Sequence, residues 1–405
     1  MRTIRFLSLS IAIAAALSAG AYNQNYFAQT SRLNTGKWVK VKVTQNGIHQ
    51  ITYDQLRQWG FTNPENVVVY GYGGNFLGQD FRTNFPDDVP PTPMMRYNNK
   101  ICFYAESGVK ISPTNVTDPV ADVKVNKNQS SLNAGYYLLS DCSPSDMKLP
   151  TNYPFSESGL SAMLTNHHSF RFIKENCTNN GKGGANWFGP SFNDVPAQHY
   201  YINAYDPVEG VSGSLLYRWV ARSSLALSLM CYTGFHEETG STTIKNMTRL
   251  TSASTYNYAY GMARIDANLS ADTDQEGGNN YDIEFSKSGG EASCYAAIDY
   301  ISFYYQRKNK FLTENGQMPM WFCQPSSTDR VVLENANDNI RVWNVSGVTE
   351  IANFEVADYE GEENAKQFRF PSNYADYQQL IVFDPSENLL PVDLLKTSTT
   401  KTSMP

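Results

Sequence analysis

After residue 21 the sequence contains no apolar run approaching the roughly 20 residues that a membrane-spanning helix needs, and no cysteine stands near that point to carry a lipid anchor. Positive charge is scarce: 32 Lys and Arg face 39 Asp and Glu. Without Arg2 and Arg5 the balance is 30 against 39, a net charge near −9, which argues against nucleic acid as a partner. The six cysteines, at 102, 142, 177, 231, 294 and 323, show no C-x-x-C spacing. That disfavours zinc and leaves disulfides and buried free thiols both open. No G-x-S-x-G elbow, H-E-x-x-H pair or Walker loop occurs. The glycine-rich "VVVYGYGGNF" at 67–76 lacks the third glycine of a dinucleotide fingerprint, Phe76 standing in its place, and the prolines at 86, 90, 91 and 93 forbid the helix that must follow. It reads as a strand ending in a turn where glycine takes positive φ.

The first 21 residues have the form of an export signal. Arg2 and Arg5 precede an apolar stretch from Phe6 to Leu17, and Ala19-Gly20-Ala21 is a small-residue cleavage site. The expected mature chain begins at Tyr22 and is exported, to the periplasm or to the outer membrane and cell surface. The remaining length suits two or three domains.

What is abundant is the material of half-buried strands: 26 Tyr and 21 Phe, with polar turns between apolar runs. In "GKWVKVKV", Val39, Val41 and Val43 share one face while Trp38, Lys40 and Lys42 share the other. A short helix follows in "TYDQLRQWG", with Thr52 as cap, Gln55 completing a capping box and Gly60 as the left-handed stop. From about 165 strand-like runs follow one another at the spacing of a sandwich or jelly roll. The fold class is therefore mainly β and multi-domain: residues 22–150 a β-rich domain with one short helix, 151–310 a jelly-roll-like β-sandwich, 311–391 a further β-rich segment, and 392–405 a polar tail without means of packing. "QQLIVFDP" is apolar on both faces, and "ENLLPVDLL" follows it; residues 378–395 are expected to form an exposed apolar edge that meets a further domain.

Several stretches, in order, resemble one family: "GKWVKVKVTQNGIHQITYDQL" at 36–56, "VVVYGYGG" at 67–74, "NWFGPSF" at 186–192, "AAIDYISFYYQR" at 296–307, "IRVWNVSGVTEI" at 340–351 and "QQLIVFDP" at 378–385. The chain resembles the PorU-type sortases of the bacterial type IX secretion system, relatives of the gingipain cysteine peptidases. The resemblance implies a largely β region that precedes the peptidase domain, with the family's catalytic His and Cys mapping onto no position here. The implied role is an exported, non-catalytic scaffold for a sortase that processes and anchors secreted cargo. Its implied partners are a gingipain-like peptidase domain or type IX components at the outer membrane. The alternative is a free-standing surface module that binds glycan or protein through its sandwich.

On their own chemistry, the candidate sites are few. A cysteine peptidase needs a thiolate held by an imidazole, and the histidines are His49, His167, His168, His199 and His236. Cys177 is nearest in sequence to the His167-His168 pair, whose side chains point to opposite faces of a strand. No catalytic residue and no cofactor is assigned. Asp272, Asp274 and Glu276 alternate ahead of Gly277 as in calcium loops, but position 12 is Ile283 and Glu284 is displaced by one. These three carboxylates are the calcium candidate in what otherwise reads as a solvated acidic hairpin loop. Trp187-Phe188 and Tyr200-Tyr201 are aromatic pairs able to stack on sugar rings, with core packing the ordinary explanation.

Overall fold

A computed structural model describes residues 28–74, 88–118, 123–127, 133–179, 187–234, 244–250, 259–269, 279–312, 315–347 and 349–399. The expected export signal, His236 and the calcium candidates Asp272, Asp274 and Glu276 lie outside these residues.

In chain order the strands begin with β1 (Lys37–Val43), β2 (Gly47–Thr52), β3 (Val68–Gly73), β4 (Met94–Tyr97), β5 (Lys100–Ala105), β6 (Val109–Pro113), β7 (Val123–Lys127) and β8 (Gly135–Ser140). The middle of the chain gives β9 (Thr151–Tyr153), β10 (Ala162–Leu164), β11 (Asn166–Ile173), β12 (Ala197–Ala204), β13 (Gly213–Arg222), β14 (Leu227–Thr233), β15 (Ile244–Leu250), β16 (Ala259–Ala267), β17 (Asn279–Gly289) and β18 (Tyr295–Lys308). The last are β19 (Gln317–Cys323), β20 (Asp329–Leu333), β21 (Arg341–Asn344), β22 (Ala352–Phe354), β23 (Ala357–Asp358), β24 (Lys366–Arg369), β25 (Tyr377–Phe383) and β26 (Asp393–Thr399). The mainly β, multi-sheet class read from the sequence is the class observed.

The N-terminal unit is two small sheets, β26-β1-β8-β3 and β2-β5-β4, closed on an apolar core. Val39, Val41 and Val43 point into that core, as their alternation dictates. Trp38 departs from the expected polar face: it is buried, edge-on to Tyr70 at 5.2 Å, and its ring N–H donates to Thr35 O at 2.9 Å. The helix α1 (Tyr53–Gln58) has the expected capping box, Gln55 N donating to Thr52 Oγ1 at 3.2 Å and Thr52 N to Gln55 Oε1 at 2.8 Å. Gly60 ends it at φ +85°.

The glycine turn after β3 has a steric explanation. Gly71 and Gly73 adopt φ +140° and +64°, and the β3–β8 register shifts between Tyr70 and Gly73. Gly74 N then donates to Glu106 O, so two backbone segments cross in contact. A Cβ on Gly74 would lie 1.9 Å from Ser107 O, and one on Gly135 would lie 1.9 Å from Glu106 O.

The rest of the fold is built on one nine-stranded sheet, in the order β16-β13-β18-β11-β19-β25-β21-β22-β9. Strands from both sides of residue 310 share it. One half packs its Tyr217, Trp219, Ile301 and Phe303 against the four-stranded sheet β12-β17-β14-β15. The other half packs Met318, Met320, Leu380 and Val382 against β10-β20-β24-β23. The opposite face receives the N-terminal unit, through Ile48, Cys102 and Tyr104 against Trp343, Ile381 and Phe383, and the β6–β7 hairpin, through Ile111 and Val123 against Leu216 and Tyr300.

Two expectations for the end of the chain are corrected here. Residues 378–383 are no exposed edge: β25 is an inner strand of the nine-stranded sheet, and Leu380, Val382 and Phe383 are fully buried. Leu389, Leu390 and Val392 are buried as well, and only Leu394 and Leu395 among these apolar groups are substantially exposed. Nor are residues 393–399 of the tail unpacked, because β26 pairs antiparallel with β1 from Lys37↔Thr399 to Lys42↔Asp393. The apolar pattern meant burial on two sides, as a strand within a covered sheet requires, and the covering comes from this chain's own N-terminal unit on one face and the β10-β20-β24-β23 sheet on the other. His49 reinforces the arrangement, its Nδ1 lying 2.8 Å from Pro391 O and its Nε2 3.1 Å from Gln45 O.

Candidate functional site: a cationic cleft where the central sheet parts

β11 is paired along its whole length with β18, from Asn166↔Lys308 to Ile173↔Ile301. On its other side it meets β19 at one pair only, His168↔Trp321. Continued in that antiparallel register, Phe170 would face Pro319, which has no N–H to give. The β19–β25 ladder runs unbroken across Pro319, so the missing donor is felt on the β11 side alone. The sheet parts there, and Pro319 is exposed although it belongs to an inner strand.

The parting opens a cleft of about 400 Å³ beneath the β1–β2 turn (Gln45, Asn46) and β6 of the N-terminal unit. Asn46 fixes this roof, its Oδ1 accepting from Ser107 N at 2.7 Å and its Nδ2 donating to Val109 O at 3.0 Å. One wall is aromatic. Phe170 stacks on Phe172 at 5.4 Å and stands edge-on to Trp321 at 5.8 Å.

The charged groups among the described lining residues are Lys110, Arg171, Lys174 and Arg307, with no carboxylate. Two of the cations are neutralised from behind. Lys110 Nζ lies 2.5 Å from Glu106 Oε1, which also accepts from Tyr104 OH at 3.2 Å. Lys174 Nζ lies 2.5 Å from Asp299 Oδ1 and donates to Trp187 O at 2.7 Å, while Arg218 approaches Asp299 at 3.5 Å. Burial lowers the Lys174 pKa against the pull of Asp299. Arg307 differs. Its residue is 5% exposed, its Nη2 donates to Leu312 O at 3.0 Å, its guanidinium lies 5.1 Å from the Tyr205 ring, and its Nε has no hydrogen-bond partner. Among the described residues no carboxylate comes within 4.0 Å of it. Burial lowers its pKa, Tyr305 and Asp206 pull it back up, and Arg171 nearby acts with burial.

The histidines and cysteines raised by the sequence do not converge. His167 and His168 point to opposite faces: His167 Nδ1 donates to Asn309 Oδ1 at 2.9 Å, and His168 stacks on Tyr304 at 5.7 Å. Burial lowers both, to about 3 and about 4. Cys177 holds Phe188 through its backbone, and its exposed thiol is pushed up by partial desolvation and by Glu175. No hydrogen bond joins it to either histidine among the described residues. All six cysteines are free. Phe188 and Tyr200 pack in cores, whereas Tyr201 is 66% exposed on the outward face of β12, beside a His199–Asp282 contact of 3.0 Å. Among the described residues no three His, Cys, Asp or Glu side chains converge as a metal site.

Sequence reasoning did not find the cleft. Its only local signals are a proline inside the strand "QMPMWFC" and cations at the ends of "FRFIK" and "FYYQR"; neither indicates that β11 and β19 are neighbours.

No protein-family model matches the chain, and no curated protein matches it in sequence. Among solved structures, the fold is similar to the crystal structure of dimeric latent PorU from Porphyromonas gingivalis, with a TM-score of 0.71, 18% identity and coverage of 93% of this chain. CBM35 from Cellvibrio japonicus Abf62 matches with a TM-score of 0.22 and 16% identity over 35% of this chain and 97% of that one. The insecticidal delta-endotoxin Cry8Ea1 from Bacillus thuringiensis matches with a TM-score of 0.21 and 13% identity over 43% and 28%. Both scores are too low to carry an argument. The PorU likeness, at its identity, is one of fold: nearly the whole of this chain adopts a PorU-like fold and spans 34% of the length of that PorU chain.

Proposed function

We propose that this exported chain is a non-catalytic β platform of a PorU-like sortase, the part that holds a gingipain-like peptidase domain or meets type IX secretion components at the outer membrane. The observation that carries the reading is the PorU-like course of the backbone over 93% of the chain. It is supported by the way the chain is closed: β26 lies on β1, and the N-terminal unit packs on the face of the nine-stranded sheet, so the joined units present several surfaces to a partner. In this reading the platform orients other groups and supplies no nucleophile of its own.

The test is cross-linking in a bacterium with a type IX system. A tagged chain should enrich a PorU-like peptidase domain or secretion components, and enrichment of neither would count against the reading.

A second reading, a surface module that binds glycan, draws on the outward face of β12 and β17, where Tyr201 and the His199–Asp282 pair face solvent. Glycan-array binding lost on Tyr201→Ala would favour it over the platform.

A further inference from the structure

We propose that the fissure between β11 and β19 is a receptor site for an acidic peptide segment held extended, with a carboxylate of that segment on Arg307. The inference stands on the geometry of the cleft and is independent of the platform reading. Three observations converge on it. The first is the form of the opening. Beyond His168↔Trp321, the backbones of Phe170–Phe172 and Gln317–Pro319 face each other unpaired across a gap inside a sheet. An extended segment entering there would meet both edges by the backbone pairing that sheets use to take up peptides. At about 3.3 Å per residue, three residues of ligand span the gap.

The second observation is charge. In a chain of net negative charge, the charged residues lining this cleft, among those described, are all cations. Lys110 and Lys174 have carboxylate partners behind them, whereas Arg307 has no ion pair within the described residues. Asp206, whose charge acts on Arg307 from beyond ion-pair distance, is also buried and stands 3.9 Å from Lys310.

The third is the cost of leaving Arg307 as it is. A guanidinium removed from water and given one carbonyl and one ring face is under-solvated. A carboxylate entering the cleft would supply the paired acceptor that arginine geometry favours. The Phe170–Phe172–Trp321 wall would cover the apolar side of such a segment. A phosphate or sulfate ion would satisfy the arginine and leave both strand edges open, so the observations favour a peptide.

The experiment compares acetyl-Glu-Glu-Glu-amide with acetyl-Gln-Gln-Gln-amide by titration calorimetry, with Trp321 fluorescence assigned by Trp321→Phe. On the wild-type chain the acidic peptide should bind at least about tenfold more tightly, and the advantage should shrink in high salt. Arg307→Gln should abolish the advantage. Because a buried arginine variant can fail to fold, Pro319→Ala is the companion. It restores an N–H, allows β19 to rejoin β11, and should raise Tm while lowering peptide affinity about tenfold. Equal affinity for the two peptides, or a preference that survives both variants, would overturn the assignment. So would sulfate binding at Arg307 that excludes both peptides without a measurable peptide complex.

Discussion

The side-chain amide of Gln317 binds the backbone of Ile48 as a neighbouring strand would: its Oε1 accepts from Ile48 N at 2.7 Å and its Nε2 donates to Ile48 O at 3.2 Å. One side chain of the nine-stranded sheet thereby pairs with both backbone polar groups of a residue in the N-terminal unit, Ile48 O also accepting from Leu390 N at 3.2 Å. Gly47 beside it has no room for a Cβ, which would lie 2.6 Å from Gln317 Oε1. Gln317→Ala should therefore leave the Ile48 N–H without its acceptor, while Ile48 O keeps the Leu390 N–H, and cost about 1–3 kcal/mol. The check is a denaturant midpoint that falls with the m-value unchanged. A midpoint equal to wild type would mean that the two units are not joined through this amide.

Acid should destabilise the chain through His167 and His168. Both are held neutral by burial, their pKa values depressed from 6.5 to about 3 and about 4. Protonation therefore favours the unfolded state. The stability they contribute is complete above pH 6.5 and is lost progressively as pH falls from there toward about 4 and about 3. For His168 the full loss is on the order of 3 kcal/mol. Urea midpoints of the wild type and His168→Phe, a variant that keeps a ring against Tyr304, should converge as pH drops from 6.5 to 4.5. Parallel pH profiles would contradict this.

Thiol chemistry should follow burial. Cys142 and Cys177 are exposed, whereas Cys102, Cys231 and Cys294 are buried, with burial pushing the Cys102 thiol up to about 11. A thiol reagent at pH 8 should label Cys142 and Cys177 first and reach the three buried cysteines only after unfolding. Because all six are free, a reducing agent should leave Tm unchanged. Protection of Cys142 or Cys177, or a reductant-dependent Tm, would be the contrary result.

The glycine crossing near residue 74 should tolerate no side chain. Gly135→Ala places its methyl carbon against Glu106 O and Gly74→Ala against Ser107 O, both backbone atoms that cannot swing away. Each change should cost about 3 kcal/mol, the upper part of the range for overpacking. Circular-dichroism melts of the two variants are the measurement.

How much of this was legible in the sequence depended on the distance over which the signal acts. The capping box Thr52–Gln55, the stop at Gly60, the positive-φ glycines after Tyr70 and the opposed faces of His167 and His168 are local, and each was readable because backbone geometry fixes it within a few residues. "QQLIVF" was readable as a strand covered on two faces but not as to what covers it, since that depends on residues such as Trp343, Ile48 and Tyr104, which lie 35 to 330 positions before it in the chain. The polar letters of β26 gave no strand signal because its pairing is set by the open edge of β1. The cleft was illegible for the same reason: Pro319 breaks a ladder only once β11 lies beside it.

The central claim, that this β assembly serves as the platform of a PorU-like sortase, is tested most directly by assembly in trans. The chain from Tyr22 onward is titrated with a separately expressed gingipain-like peptidase domain of a PorU-type sortase and followed by size-exclusion chromatography with light scattering. The account predicts a stoichiometric complex at micromolar concentrations. Two separate peaks at all concentrations, with both proteins folded, would contradict it.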